Sequence, residues 1–221
     1  MNGRRFADRE DGGRALAAEV AALHLTDPLV LAIPRGGIET AAPIAERLGA
    51  ELDVVLSRKL RSPDQPELAI GSVSEGGQVH LDPALVALTG ATKVYVEEER
   101  ARQQAEIERR RELFRRARPP ATIAGRTVIL TDDGIATGST MIAAARSVRA
   151  AGPLELIIAV PVAAAERVPA LRPLCDRLIC LAAPSDFVAV GQFYDRFDEV
   201  VDDRVVQLLR LHASKRLAGR R

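Results

Sequence analysis

Residues 128–140 combine residue types that together could bind a phosphorylated sugar. The segment starts as an apolar run that predicts a buried strand, continues with adjacent carboxylates at Asp132 and Asp133, and ends in a loop of small and hydroxyl-bearing residues. A helix is predicted directly after the loop, so its unpaired N–H groups and the positive end of its dipole can receive a phosphate. The carboxylates would repel a phosphate, and they suit ribose hydroxyls or a metal ion held beside them.

The loop itself predicts a phosphate site built from backbone and hydroxyl donors. Gly138 lets the backbone come close to the ligand, and the neighbouring hydroxyl groups can add hydrogen bonds. The residues expected to bind the phosphate are Ala136, Thr137, Gly138, Ser139 and Thr140.

This segment resembles the phosphoribosyl-pyrophosphate (PRPP) signature of the type I phosphoribosyltransferases, in which an apolar strand leads through two acidic residues into a loop close to Gly-Ile-Ala-Thr-Gly-Ser-Thr. The resemblance implies that residues 1–221 form one domain that transfers a phosphoribosyl group from PRPP to a nitrogenous base, with Mg²⁺ as cofactor and release of pyrophosphate. It also implies that Asp132 and Asp133 are catalytic and approach the metal indirectly, and that loop 136–140 holds the 5-phosphate.

A second candidate loop, Pro34-Arg35-Gly36-Gly37, follows a predicted strand at 29–33. Ligands of open parallel sheets bind beyond the carboxyl ends of the strands, so this loop is expected near the first one. The family carries its pyrophosphate loop here, which implies a catalytic and pyrophosphate-binding role for Arg35 and close backbone approach at Gly36 and Gly37. The related loop often contains a cis peptide bond that does not precede proline, and the candidate bond is Pro34–Arg35. Read alone, the tetrapeptide is also a common turn.

Residues 52–59 predict one buried strand that ends in the cations Arg58 and Lys59. In related enzymes cations at this position neutralise the leaving pyrophosphate, and Lys59 is also expected to take part in catalysis. For Arg58, a solvated position at a strand end is supported equally well.

Aromatic residues make up only 3% of the chain, yet four of them cluster within residues 187–197. This segment resembles the hood of the hypoxanthine-guanine branch of the family, which implies that Phe187 stacks on the base beside Val188 and that Asp195 faces the metal. That branch has an acid/base carboxylate where this chain has Ala136, and it has a lysine ahead of the Phe that this chain lacks. Specificity for 6-oxopurines therefore does not carry over.

The remaining sequence predicts an α/β protein with a doubly wound, mostly parallel sheet, a small hood (182–200) and a hairpin or lid insertion (61–83). Proline and glycine in the insertion suit a mobile loop, and a long charged helix is predicted at 94–118, with part of its charge paired at i,i+4. Further helices are predicted over 9–23, 38–48, 140–151, 164–171 and 203–212, and further strands over 127–131, 156–160 and 177–181.

Composition narrows the classes of partner. The net charge is +1, no apolar stretch approaches the length of a membrane span, and the two cysteines are too few for a disulfide framework or a zinc site. We expect a cytoplasmic protein, a homo-oligomer such as a dimer, and neither membrane nor nucleic-acid binding. Two alternatives stay open: a PRPP-sensing regulator that binds nucleic acid through the basic helix, and a catalytic domain that works beside a fused or partner hydrolase.

Overall fold

The computed structural model describes residues 4–66 and 68–218, and strands and helices alternate in this part of the chain except between β2 and α4. The elements in chain order are α1 (Arg9–Ala21), β1 (Pro28–Ala32), α2 (Gly37–Leu48), β2 (Glu51–Val54), β3 (Ser57–Arg61), β4 (Ala69–Ser74), β5 (Val79–Leu81), α3 (Pro83–Leu88), α4 (Lys93–Arg115), β6 (Thr127–Thr131), α5 (Ser139–Ala150), β7 (Glu155–Val162), α6 (Val168–Leu171), β8 (Arg177–Ala182) and α7 (Asp202–Ala218).

The centre of the fold is a five-stranded parallel sheet in the order β2-β1-β6-β7-β8. Its ladder pairs Ala32 of β1 with Val54 of β2 on one side and with Thr131 of β6 on the other. Because all five strands run parallel, the segments that follow β1 and β6 leave the sheet side by side at the same edge.

Helices cover both faces of this sheet. Alternate strand residues point to opposite faces, so Val30 and Ile129 pack with α1, α2 and α7, whereas Leu29 and Leu130 pack with α5. All four strand residues are fully buried. The doubly wound α/β fold predicted from the sequence is therefore confirmed.

The predicted single strand over residues 52–59 is wrong, because the segment forms two strands in different sheets. β2 ends at Val54, opposite the last residue of β1, and one further backbone bond joins the N–H of Val55 to the carbonyl of Ala32. The chain then continues as β3, which pairs antiparallel with β4, and β4 pairs with β5 in a separate three-stranded sheet. The hairpin predicted within residues 61–83 is present as β4 and β5. Both β2 and β3 are extended and partly apolar, so the sequence pattern could not show where the pairing partner changes.

Helix α4 begins and ends close to the prediction, but one face of it is buried against the small sheet. Val96, Ile107 and Phe114 belong to the main apolar cluster together with Leu60 and Ile70. At its end Arg115 donates to Asp53 at 2.7 Å and to both carboxylate oxygens of Glu75 at 2.6 Å. Burial by itself would lower the pKa of Arg115, but the hydrogen bonds and charges of Glu75 and Asp53 outweigh it, so the pKa is raised. The end of the helix is thus fixed to β2 and to the β4–β5 turn.

Within the described ranges, no helix is both long enough and apolar enough to span a bilayer.

Candidate active site

Two loops lie next to each other at the carboxyl edge of the parallel sheet. The backbone N–H of Ile33, which follows β1, donates to the carbonyl of Thr131 at the end of β6 at 3.0 Å. This bond keeps the Pro34-Arg35-Gly36-Gly37 loop beside the Asp132–Asp133 pair. The Pro34–Arg35 peptide bond is cis, as the family resemblance predicted.

The glycine pair is required by the acidic pair. A Cβ atom added to Gly36 would lie 2.1 Å from Asp133 Oδ2, and one added to Gly37 would lie 3.0 Å from Asp132 Oδ1. Contacts near 2 Å are far inside van der Waals separation, so only glycine fits at position 36. Close approach of the backbone at Gly36 and Gly37 was predicted for a ligand; in the structure these residues approach the acidic pair of the neighbouring loop.

The predicted phosphate loop leads directly into the N-terminus of α5. Gly138 is the N-cap residue with a positive φ of 79° and has no side chain to cap the helix. The hydroxyl of Thr137 accepts a long hydrogen bond of 3.5 Å from the N–H of Ser139. Ile135 anchors the loop, because its N–H donates to Val162 and its carbonyl accepts from Ala164, both at 2.9 Å. Ala136 and Thr137 are exposed. This anchored and open helix N-terminus suits an anionic ligand.

A buried arginine that sequence reasoning missed holds the second carboxylate. The Nε of Arg9 donates to Asp133 Oδ2 at 2.7 Å, and its Nη1 donates to the carbonyl of Asp198, also at 2.7 Å. The guanidinium carbon lies 3.7 Å from the ring centroid of Phe197, and the Arg9 side chain is only 8% exposed. Arg9 is the first residue of α1, where the helix dipole disfavours a cation. That position was the one sequence signal that could have indicated a distant acidic partner.

The acidic pair is buried enough to change its titration. Burial raises the pKa of Asp132 well above its usual range, and the adjacent Asp133 raises it further. Burial also raises the pKa of Asp133, although the hydrogen bond from Arg9 opposes this shift. The Tyr194 hydroxyl donates to the carbonyl of Asp133, and burial followed by the charge of Asp133 raises the pKa of this phenol. The ionised forms of both carboxylates are therefore destabilised by burial, and a hydrogen-bond donor or a cation placed beside them would stabilise them.

Arg35 shares a cavity of about 430 Å³ with Gly36, Asp133 and Glu199. Its Nη2 donates to Glu199 Oε1 at 2.7 Å, and the Arg35 side chain is 35% exposed. The structure thus places Arg35 at the mouth of the same site as the acidic pair, paired with a carboxylate from the segment that precedes α7.

Arg58 and Lys59 lie on the antiparallel strand β3, so the expectation that they end a strand of the parallel sheet is wrong. They nevertheless reach the site, because both line a cavity of about 280 Å³ that also contacts Pro34 and Thr140. Pro34 belongs to the predicted pyrophosphate loop and Thr140 to the predicted phosphate loop.

The candidates for the base and for the metal lie in the segment between β8 and α7. Phe187 is half-buried against Phe193, with ring centroids 5.3 Å apart, whereas Val188 is 87% exposed. The segment reaches the acidic loop at Val190, whose Cγ1 would lie 2.6 Å from a Cβ added to Gly134. Asp195 accepts from Arg5 Nε at 2.8 Å on the exposed surface, so its carboxylate is paired away from the acidic pair.

Comparison with known proteins agrees with this arrangement. The family model for the phosphoribosyl transferase domain matches residues 6–198. Two proteins of Mycobacterium tuberculosis, from strains CDC 1551 and H37Rv, carry provisional phosphoribosyl transferase names and are each 40% identical to this chain over 215 residues. These matches cover 97% of this chain and 48% of each relative, so the chain spans about half the length of the curated relatives it matches.

A solved structure extends the likeness to three dimensions. The crystal structure of TT1426 from Thermus thermophilus is 46% identical and superposes with a TM-score of 0.87, covering 94% of this chain and 98% of that chain. The chain therefore shares its fold with that structure over nearly the whole of both chains. The chain belongs to the phosphoribosyl transferase family.

Proposed function

We propose that this chain transfers the phosphoribosyl group of PRPP to a nitrogenous base and releases pyrophosphate. The observation that carries the proposal is the packing of the glycine pair at positions 36 and 37 directly against Asp132 and Asp133. It brings the predicted pyrophosphate loop, the predicted ribose-binding carboxylates and the open N-terminus of α5 to one edge of the sheet.

The reaction breaks the bond between the ribose C1 and the pyrophosphate oxygen, which leaves with the bonding electrons, and forms a bond between C1 and a nitrogen of the base, which loses its proton. The bond breaking leaves oxocarbenium character on the ribose, so the protein acts mainly by positioning the partners and by stabilising charge. The carboxylates of Asp132 and Asp133 would accept hydrogen bonds from the ribose hydroxyls. Loop 136–140 would hold the 5-phosphate, and Arg35, Arg58 and Lys59 would neutralise the leaving group.

Two ion pairs must rearrange for these roles. Arg35 is paired with Glu199, and Asp133 is paired with Arg9. The pair with Glu199 is exposed and therefore weak, so a polyanionic substrate could draw Arg35 away from it. The pair with Arg9 is buried, and we expect it to persist, leaving the other oxygen of Asp133 and the carboxylate of Asp132 for the ribose.

Magnesium fits this site as an ion that arrives with the substrate. Carboxylate oxygens are ligands that Mg²⁺ prefers, but no three metal-binding side chains come together among the described residues. Asp132 and Asp133 would contact the ion indirectly, and Asp195 would have to leave Arg5 to do so. When bound, the ion would neutralise charge on the pyrophosphate.

The acidic pair provides the direct test of this function. We expect Asp132→Asn and Asp133→Asn each to weaken PRPP binding about tenfold or more, because an amide is a poorer acceptor for ribose hydroxyls than a carboxylate. Calorimetric titration with PRPP and Mg²⁺ measures the effect, with the exposed Asp186→Asn as the matched control. Unchanged affinity in both variants would refute the assignment of the ribose site.

The acceptor can be identified by offering the chain a panel of bases with PRPP and Mg²⁺ and measuring pyrophosphate release. We expect guanine and hypoxanthine to be poor substrates, since Ala136 supplies no acid/base carboxylate and no lysine precedes Phe187. Fast turnover of guanine would contradict this expectation. Tight PRPP binding without turnover of any base would instead support the PRPP-sensing regulator.

A further inference from the structure

A small cationic cavity lies between β3, α4 and the pyrophosphate loop. Its volume is about 280 Å³, and four of the side chains that line it are cations: Arg58, Lys59, Arg61 and Arg110. Of the described residues that line it, none carries a carboxylate and none is aromatic. Cavities of this size are at the lower end of those that take small ligands, and this lining suits a compact anion and not a flat base.

Helix α4 holds Arg58 through a chain of two side-chain hydrogen bonds. Glu99 Oε1 accepts from Gln103 Nε2 at 2.9 Å, and Gln103 Oε1 accepts from Arg58 Nε at 2.6 Å. Glu99 and Gln103 are 3% and 7% exposed, so this chain of hydrogen bonds is buried. It engages the Nε of Arg58 and so restrains the orientation of the guanidinium.

The second guanidinium, that of Arg110, comes from the same face of α4. Its side chain is 21% exposed, and Glu106 Oε1 lies 3.3 Å from its Nε. The Nε is buried and makes no hydrogen bond with the described residues. Burial, and then the nearby charge of Arg110, lower the pKa of Arg58. Two guanidinium groups that repel each other around one cavity would be stabilised by an anion placed between them.

We infer that Arg110 of α4 is a further binding residue for the leaving pyrophosphate, which Arg58 and Lys59 of the same cavity are proposed to receive. The inference rests on the proposed function, and it adds a helix that the family signature does not include. The position supports pyrophosphate, because Pro34 and Thr140 connect the cavity to both ligand loops. It also gives the charged helix α4 a role in the site in addition to its packing role.

The test is the affinity for inorganic pyrophosphate, measured by calorimetry on the whole chain at low salt. We expect Arg110→Met to weaken pyrophosphate binding about tenfold, the loss typical of one charge-assisted hydrogen bond, and Arg110→Lys to restore part of it. The matched control is Arg111→Met, since Arg111 is the next residue, is exposed and pairs with Glu108. The control should bind pyrophosphate like the unmodified chain.

Ribose 5-phosphate is the second probe, because it should occupy the 136–140 loop and not the cationic cavity. Arg110→Met should bind it normally. Equal pyrophosphate affinity in Arg110→Met and the unmodified chain would overturn the inference and leave the proposed function standing. Equal losses for both probes would mean a general disturbance and would also overturn it. An unmodified chain that binds neither probe would refute the inference and the proposed function together.

Discussion

Gly36→Ala is expected to reduce PRPP affinity at least a hundredfold and to lower the free energy of unfolding by about 1–3 kcal/mol, the usual effect of overpacking. The added methyl group would lie 2.1 Å from Asp133 Oδ2 and 2.8 Å from Asp133 Cγ. The carboxylate cannot simply rotate away, because Arg9 holds the same oxygen. Either the Pro34-Arg35-Gly36-Gly37 loop or the acidic pair must move, and both belong to the proposed PRPP site. Calorimetric titration with PRPP and chemical denaturation measure the two effects.

Gly76→Ala is the matched control for this substitution. Gly76 lies in the β4–β5 turn, and a Cβ atom there would meet no atom within 4 Å. Its φ is not positive, so alanine is not strained there, and we expect unchanged PRPP affinity and stability. Full PRPP affinity in Gly36→Ala would mean that the two loops are not packed as the structure has them.

Arg9→Met is expected to lower the free energy of unfolding by about 3 kcal/mol at neutral pH, because it leaves the buried Asp133 carboxylate without its cation. The substitution keeps an unbranched apolar side chain against Phe197, so the loss reports mainly on the charge. PRPP affinity should also fall, since Asp133 would lose the contact that fixes its orientation. Denaturation curves at several pH values and calorimetric titration measure these effects.

The stability loss in Arg9→Met should grow with pH. Burial already raises the pKa of Asp133 in the folded protein above its ordinary value, and Arg9 is the partner that lowers it. Without Arg9 the pKa of Asp133 in the folded protein rises further. At low pH the carboxyl is protonated and its burial costs little. As the pH rises above about 4 the unfolded chain loses this proton more readily than the folded chain, so the folded state loses stability. The deficit relative to the unmodified chain should therefore be smallest near pH ~4 and larger towards neutrality.

Arg14→Met is the control, because Arg14 lies on the same helix, is 58% exposed and makes only loose ion pairs at 3.4–4.0 Å. Such pairs contribute about 0–1 kcal/mol, and we expect little change at any pH. A loss in Arg9→Met that is no greater than in Arg14→Met, or that does not depend on pH, would contradict the role given to Arg9.

The sequence alone predicted the two candidate ligand loops because their signals are local. The segment 128–140 contains its strand, its acidic pair and its helix start in consecutive residues, and the predicted strand 127–131 coincides with β6. The loop Pro34-Arg35-Gly36-Gly37 was placed by the same reasoning, since a parallel sheet brings the ends of its strands to one edge. The family and the fold class followed from these two loops and from the alternation of strands and helices.

The sequence did not show which strand an extended segment pairs with. Residues 52–59 fit one extended strand by their pattern, whereas in the structure the pairing of β2 with β1 ends at Val54 and the pairing of β3 with β4 begins at Ser57. The charged helix was also incompletely described, because its self-paired charges are visible in the sequence, whereas the burial of Glu99 and Gln103 against β3 is not.

Only the tertiary structure decided which charged groups meet around the site. Arg9 and Asp133 are 124 positions apart, Arg35 and Glu199 are 164 apart, and Arg58 and Gln103 are 45 apart. These contacts depend on which strands are neighbours and on how α1, α4 and the segment before α7 pack on them. A pattern of residue types predicts the conformation of adjacent residues, and it does not predict how distant elements pack against one another. The sequence therefore predicted the family and the ligand that the site is proposed to bind, and the tertiary packing determined which side chains lie against the candidate binding groups.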